Sequence, residues 1–157
     1  MSLAVAQSRT ISGATFQVGI VAACYNEKLV NALLVRVLEK LHGSGMKEKN
    51  IRVLRVPGSH EVPWATGELA RRKGCDAVVA LGVLIGGDTN HHEMVGQSVS
   101  QALQQVALST RVPVINGVIV ANTLAQARAR CSGRIDRGAE FAQAALVMAE
   151  LKRKLKS

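Results

Sequence analysis

Two histidines follow a glycine turn in the order Gly86-Gly87-Asp88-Thr89-Asn90-His91-His92. A glycine turn that opens a helix aims its first amides outward, at the positive end of the helix dipole. Gly87, Asp88 and Thr89 are therefore candidates to hold a phosphate. Asp88 adds negative charge at that point, so such a site needs a cation from elsewhere. The turn has neither the Gly-Lys-Ser/Thr ending of a P-loop nor the spacing of a dinucleotide fingerprint. A turn that only bends the chain stays open as the plainer reading. A single histidine at a helix start beside a phosphate site is a candidate for proton transfer near neutral pH. His91 and His92 are adjacent, so on a helix they point about 100° apart and make a poor metal pair. With Glu93 they do not form the HExxH zinc pattern either. Two first-turn histidines, at least one solvated, are the alternative.

Two other segments carry suitable groups. Val56-Pro57-Gly58-Ser59-His60-Glu61-Val62-Pro63 brackets a turn with two prolines and runs into a helix. It holds the amides of Ser59 and His60 in place. Glu61 is able to accept hydrogen bonds from a polyol or an amine, or is simply an acid stabilised by the helix dipole. Tyr25-Asn26 ends an apolar run. The tyrosine either stacks on a flat heterocycle or covers the edge of the core.

These segments need a scaffold. The chain has 157 residues, 48% of them hydrophobic and 20% charged, which fits one soluble packed domain. No apolar run reaches the roughly 18 residues of a membrane span. No basic segment followed by an apolar core marks a secretory leader. Cys24, Cys75 and Cys131 are odd in number and lack CxxC spacing. That argues against a disulfide scaffold or zinc module and fits a reducing, cytoplasmic compartment. Twenty Lys and Arg against eleven Asp and Glu leave a net charge of +9. Such a charge attracts phosphorylated molecules or nucleic acid. The aromatics are only Phe16, Tyr25, Trp64 and Phe141, too few for the stacking platforms of a single-strand binder. The basic residues are scattered, which reads as solvated faces plus a small anion site, without a nucleic-acid partner.

Periodicity orders the elements. Apolar runs predict strands over 16–23, 51–56, 76–85 and 113–120. Leu29, Leu33, Leu34, Val37, Leu38 and Leu41 recur at helical spacing, with Asn26 as a cap and a glycine stop at 42–45. Further helices are predicted over 61–73, from a capping box at Asn90 and Glu93 to Thr110, from Thr123 or Asn122 to Arg130, and over 137–154. Alternating strands and helices predict a parallel sheet covered on both faces. Residues 1–14 read as a flexible arm and 15–157 as a single α/β domain. Ligands in such folds bind beyond the carboxyl ends of the strands, which is where all the segments above fall.

Taken in order, these segments resemble the lumazine synthase family of riboflavin biosynthesis. The resemblance runs from about Phe16 to Leu155. It rests on Tyr25-Asn26, Val56 to Pro63, the stretch Gly82 to Val95 and Pro113 to Ile119. It implies a flavodoxin-like three-layer α/β/α sandwich around a four-stranded parallel sheet. It also implies condensation of 5-amino-6-ribitylamino-uracil with 3,4-dihydroxy-2-butanone 4-phosphate, without metal or organic cofactor. The sites of the family lie between neighbouring subunits of a pentamer, or of several pentamers, and riboflavin synthase is a candidate partner. Carried over by residue, Tyr25 stacks on the pyrimidine and Asn26 orients it. Ser59, His60 and Glu61 serve the ribityl chain, and Leu84 and Ile85 meet the pyrimidine through their backbone. Gly87, Asp88 and Thr89 hold the phosphate, and His91 is the general acid and base. Arg130 of the adjacent subunit pairs with the phosphate, with Arg137 as a second cation.

The sequence departs from the family pattern at several points. Gly86 stands where Arg or Lys is usual, so one positive charge near the phosphate is missing. His92 replaces an aromatic. Asn116 replaces Phe, making polar one wall that a neighbour contributes to the pocket. The loop from Arg130 to Gly138 is shorter than usual. Two alternatives follow: a related archaeal-type riboflavin synthase, and a weakly active or silent shell subunit of the same fold.

Overall fold

The computed structural model describes residues 9–156. Four strands, β1 (Val18–Ala23), β2 (Ile51–Val56), β3 (Ala77–Ile85) and β4 (Val114–Ala121), form one sheet. The helices are α1 (Glu27–Gly43), α2 (Val62–Ala70), α3 (His91–Thr110), α4 (Leu124–Cys131) and α5 (Arg137–Lys156). Single 3-10 turns stand at Glu48–Asn50 and Ser59–Glu61. The strand order is β2-β1-β3-β4 and every pairing is parallel. This is the three-layer α/β/α sandwich of the flavodoxin-like kind.

Side-chain alternation along the strands feeds two cores. Ile20, Val79, Leu81 and Ile119 face α1, α4 and α5, packing with Leu33, Val37, Phe141 and Leu146. Val21, Val78 and Ala80 face α2 and α3, packing with Val62, Leu69, Val99 and Leu103. The central strands β1 and β3 are apolar on both faces because helices cover both. All three cysteines are free; Cys75 and Cys131 are buried, and burial pushes the Cys131 thiol up to about 11.

The element boundaries differ from the periodicity at few places, each with a local cause. The helix expected over 61–73 is a 3-10 turn followed by α2, which ends at Ala70. Gly74 takes a left-handed φ of 85° and turns the chain into β3, with Cys75 N–H donating to the Arg72 carbonyl. Asn26 is not a side-chain cap. Its own backbone is left-handed (φ 56°) and its amide is used elsewhere, as described below. The capping box expected from Asn90 and Glu93 is likewise absent: Asn90 makes no side-chain cap bond. Thr123 does cap α4, accepting from Gln126 N–H at 3.2 Å. Of the arm expected over residues 1–14, residues 1–8 lie outside the described residues. Residues 9–14 run along the body, where Ile11 is buried and Gln143 donates to the Arg9 carbonyl.

A polar latch closes the amino-terminal edge of the sheet. Asp76 is 3% exposed and accepts from Gln17 N–H at 2.8 Å and from Arg153 Nε and Nη2 at 2.9 and 2.8 Å. Arg153 also donates to Thr15 O and lies over the Phe16 ring at 4.8 Å. One carboxylate thus joins the start of β1, the start of β3 and the end of α5. Asp76→Ala strands the Gln17 amide and the guanidinium together. Unfolding in urea should show a loss of about 2–4 kcal/mol, with little change in slope.

Candidate functional site

The site arises from unequal strand lengths. β1 stays paired with β3 only as far as Ala22 and Leu81, whereas β3 and β4 stay paired to Ile85 and Ala121. After β1 the chain swings away over the end of β2, Cys24 N–H donating to Val56 O (2.7 Å) and Tyr25 N–H to Pro57 O (2.9 Å). The last residues of β3, still paired with β4, are left without a strand on the β1 side. Asn26 fills part of the gap: its Nδ2 donates to Val83 O at 2.8 Å. The left-handed backbone at Asn26, which asparagine tolerates better than most residues, aims the amide there.

Strand alternation decides which backbone groups remain for a ligand. Val78 and Gly86 donate their N–H to β4-side carbonyls, Pro113 O and Ala121 O, so even positions of β3 face β4. Val83 and Ile85 face the gap. The backbone of Ile85 is therefore presented to the cleft, while that of Leu84 is turned toward β4. Leu84 also lines the cleft, but of the two residues expected to contribute backbone groups only Ile85 has its backbone on that side.

The resulting open cleft has a volume of about 710 Å³. It brings together Tyr25, Asn26, Ser59, His60, Glu61, Leu84, Ile85, Gly87, Thr89 and His91. Tyr25 is 72% exposed, its ring free to stack and not spent on covering the core. Ser59 is buried against β3; a Cβ at Gly82 would lie 2.5 Å from its Oγ, so the glycine permits this close approach. Glu61 Oε2 accepts from Gly58 N–H at 2.9 Å, which holds its carboxylate at the rim of the 3-10 turn. Gly58, His92, Val95 and Leu124 also line the cleft; Gly58 and His92 stand in segments singled out from the sequence, but none of the four was assigned a binding role there. Val95 stands four residues after His91, on the same helix face, so spacing alone held the signal for it.

The two histidines have different surroundings. His91, the first residue of α3, is exposed at the cleft, and its N–H donates to Thr89 Oγ1 at 3.4 Å. His92 turns inward: it is 9% exposed, its Nε2 is 3.2 Å from Asn122 Oδ1, and its Nδ1 is buried without a partner. Asn122 is fixed again through its own N–H, which donates to Gln126 Oε1 at 2.9 Å. The turn between β4 and α4 is thereby held against the end of β3.

That turn explains Gly86. A Cβ there would sit 2.6 Å from Asn122 O and 3.2 Å from its Cα, with backbone on the other side that cannot rotate away. The glycine is required by the approach of residue 122. It is not merely a lost cation.

Other expected residues are not brought to the cleft of a single chain. Asp88 is exposed beside it. Asn116 lies exposed on the edge strand β4, its Oδ1 accepting from Val118 N–H at 3.1 Å. Arg130 Nη1 donates to Gln126 O at 3.1 Å on α4. Arg137 departs from expectation: it is 4% exposed and paired with Glu140 Oε2 at 2.6 Å, inside the body at the start of α5. The short loop before it is bound to α1, Arg36 Nη2 donating to Gly133 O at 3.0 Å. Among the described residues no three His, Cys, Asp or Glu side chains converge to hold a metal ion. No helix among them is long and apolar enough to cross a membrane.

A parallel sheet with a cleft beyond its carboxyl edge, rimmed by a lone tyrosine, an acid, a histidine and a helix start, defines a doubly wound α/β protein that binds small polar ligands. The sequence model of the 6,7-dimethyl-8-ribityllumazine synthase family matches residues 15–153. The chain is 42% identical over 139 residues to the 6,7-dimethyl-8-ribityllumazine synthase of Aquifex aeolicus, covering 88% of this chain and 90% of that protein. It is 38% identical over 141 residues to the enzyme of the same name from Polaromonas sp. strain JS666, covering 90% of each. The chain belongs to the 6,7-dimethyl-8-ribityllumazine synthase family.

The packing around residue 86 gives a direct test. Gly86→Ala must push the Asn122 backbone aside and should cost about 1–3 kcal/mol of stability. Gly86→Arg carries the same Cβ and should be no more stable, read by thermal unfolding of the three proteins side by side. An arginine variant as stable as the parent would show that the turn at 122 yields freely.

Proposed function

We infer that this chain is a transferase that forms 6,7-dimethyl-8-ribityllumazine from 5-amino-6-ribitylamino-uracil and 3,4-dihydroxy-2-butanone 4-phosphate, the penultimate step of riboflavin biosynthesis. The observation that carries the reading is the cleft shared by Tyr25, Asn26, Glu61, Thr89 and His91, which come from three separate sequence segments. With the family match over residues 15–153, it disfavours both the archaeal-type riboflavin synthase and the silent shell subunit.

The chemistry consists of proton transfers between two held reactants. The amine attacks the ketone, and the carbinolamine loses water. Phosphate is then eliminated, and the ring closes with loss of a second water. Holding both reactants in one cleft supplies much of the rate. Tyr25 stacks on the pyrimidine, and the Ile85 backbone groups that β1 leaves bare pair with its edge. Asn26 keeps that edge in place through Val83 O. Ser59, His60 and Glu61 take the ribityl hydroxyls. Gly87, Asp88 and Thr89 offer the start of α3 to the phosphate. His91, exposed on the first turn of that helix, shuttles protons.

The phosphate end needs a permanent cation, and among the described residues no Lys or Arg lines the cleft of one chain. Arg130 of a neighbouring copy supplies it in this reading, and Asn116 of that copy supplies a polar wall. The active assembly is then a pentamer or a multiple of pentamers. Arg137 is assigned a structural role through Glu140. The reaction needs no metal or organic cofactor. The free cysteines fit a cytoplasmic setting, and the product makes riboflavin synthase the candidate partner.

His91→Ala should lower turnover by roughly 10- to 10⁴-fold while the protein still folds and assembles. His92→Ala should affect turnover much less and show its cost in thermal stability, because His92 holds Asn122. Equal small effects on turnover would remove the role given to His91. Separately inactive His91→Ala and Arg130→Ala proteins, unfolded together and reassembled, should regain a fraction of parental turnover. No recovery from a correctly assembled mixture would count against a shared site.

A further inference from the structure

At the opposite edge of the sheet lies a second cavity of about 240 Å³, between the first residues of β1 and β2 and the end of α2. Lys49, Arg52, Arg72 and Lys73 line it, and no carboxylate does. Among the described residues, none of these four side chains has a hydrogen bond or ion pair. The nearby acids are already committed: Asp76 to Arg153, Glu68 to Arg71, and Glu48 to His42. We propose that this cavity is a binding site for a diphosphate group, inorganic or carried by a small nucleotide.

The cations are presented by closed backbone, not by free loops. Arg72 and Lys73 sit on the turn that Gly74 makes in its left-handed conformation, closed by the bond from Cys75 N–H to Arg72 O at 3.2 Å. That turn rests on the Gln17 side chain, which also lines the cavity. Lys49 stands on the 3-10 turn closed by Asn50 N–H to Lys47 O at 2.9 Å. Arg52 lies opposite Gly19 in the β1–β2 register, on the face where Leu69 packs so tightly that a Cβ on Gly19 would lie 2.9 Å from it. Leu69 thus fills the space over Gly19, and the four cations line the cavity together with the polar Gln17 and Asn50.

A structural role for the four charges accounts for little of them. The carboxyl end of α2 carries about half a negative charge. Its last carbonyls already accept from the N–H groups of Arg71 and Arg72. The four residues are exposed, and more than three positive charges are left unpaired around one small space, a concentration that an entering anion would neutralise. A diphosphate carries about three negative charges at neutral pH and has oxygens on two centres. It can bridge both cation-bearing turns, and charge-assisted bonds to arginine and lysine are the strong kind. A single-strand nucleic acid fits less well, because no aromatic side chain lines the cavity.

The site is at the far edge of the sheet from His91, so it is independent of the proposed reaction. The test is calorimetric titration of the assembled protein with inorganic pyrophosphate, with ADP, with sulfate at matched ionic strength, and with a short single-stranded RNA. Pyrophosphate should bind at this site with a dissociation constant that Arg72→Gln combined with Lys73→Gln raises at least about tenfold. Lumazine formation without added diphosphate should be unchanged in that double variant. Arg130→Gln should leave this binding event in place, separating it from any phosphate held at the cleft. ADP binding more tightly than pyrophosphate would assign the group to a nucleotide, and equal binding would assign it to the inorganic ion. The proposal fails if the double variant titrates like the parent, if sulfate binds as well as pyrophosphate, or if RNA binds where pyrophosphate does not.

Discussion

The site depends on β3 running further than β1. Four parallel strands of equal length would pair to the end and offer a ligand only side chains. Here β1 leaves the sheet at Cys24 while β3 continues with β4 to Ile85, and the uncovered flank of β3 becomes the back wall of a cleft. An exposed run of backbone polar groups needs partners. Asn26 satisfies Val83 O, and by strand alternation the backbone of Ile85 also turns toward the cleft, where the proposed function seats the edge of the pyrimidine. The 3-10 turn at Ser59 and the start of α3 then close the two sides, since both follow strands that end at the same edge.

The second constraint is the tight approach of the turn after β4. His92, Asn122 and Gln126 hold that turn against Gly86, and their geometry excludes a side chain at residue 86. A charge that the family pattern places there cannot be added without moving the backbone. No Lys or Arg among the described residues lines the cleft of one chain, although the net charge is +9. Much of the surplus lies elsewhere, some of it gathered unpaired at the amino-terminal edge of the sheet. The two edges thus divide the work: polar groups and a histidine at one, positive charge at the other.

Much of this was legible in the amino-acid order. Apolar runs on both faces of β1 and β3 marked buried parallel strands, and the segments after them marked the binding edge. Local rules failed where a side chain chose a distant partner over a near one. Asn26 looks like a helix cap but spends its amide on β3, and Asn90 with Glu93 has the spacing of a capping box that does not form. Arg137 looks like a phosphate ligand because it is a cation in the right stretch, yet a carboxylate three residues on draws it inside. Gly86 reads as a deletion of charge because no local signal tells that residue 122 will pass within contact distance. The backbone direction of Leu84 and Ile85 required the register with β4, which periodicity does not supply. The neighbouring copy of the proposed function has no counterpart in periodicity or in local spacing; it enters through the resemblance to the family.

The central claim is that this cleft joins an amine to a ketone and expels phosphate in the same cycle. Incubating the assembled protein with both substrates, and following lumazine absorbance and free phosphate in one sample, tests it most directly. The account predicts that both appear together in equal amounts, at a rate that a chelator does not change. Absence of lumazine from intact, folded assemblies, or phosphate release that outruns lumazine formation, would contradict it.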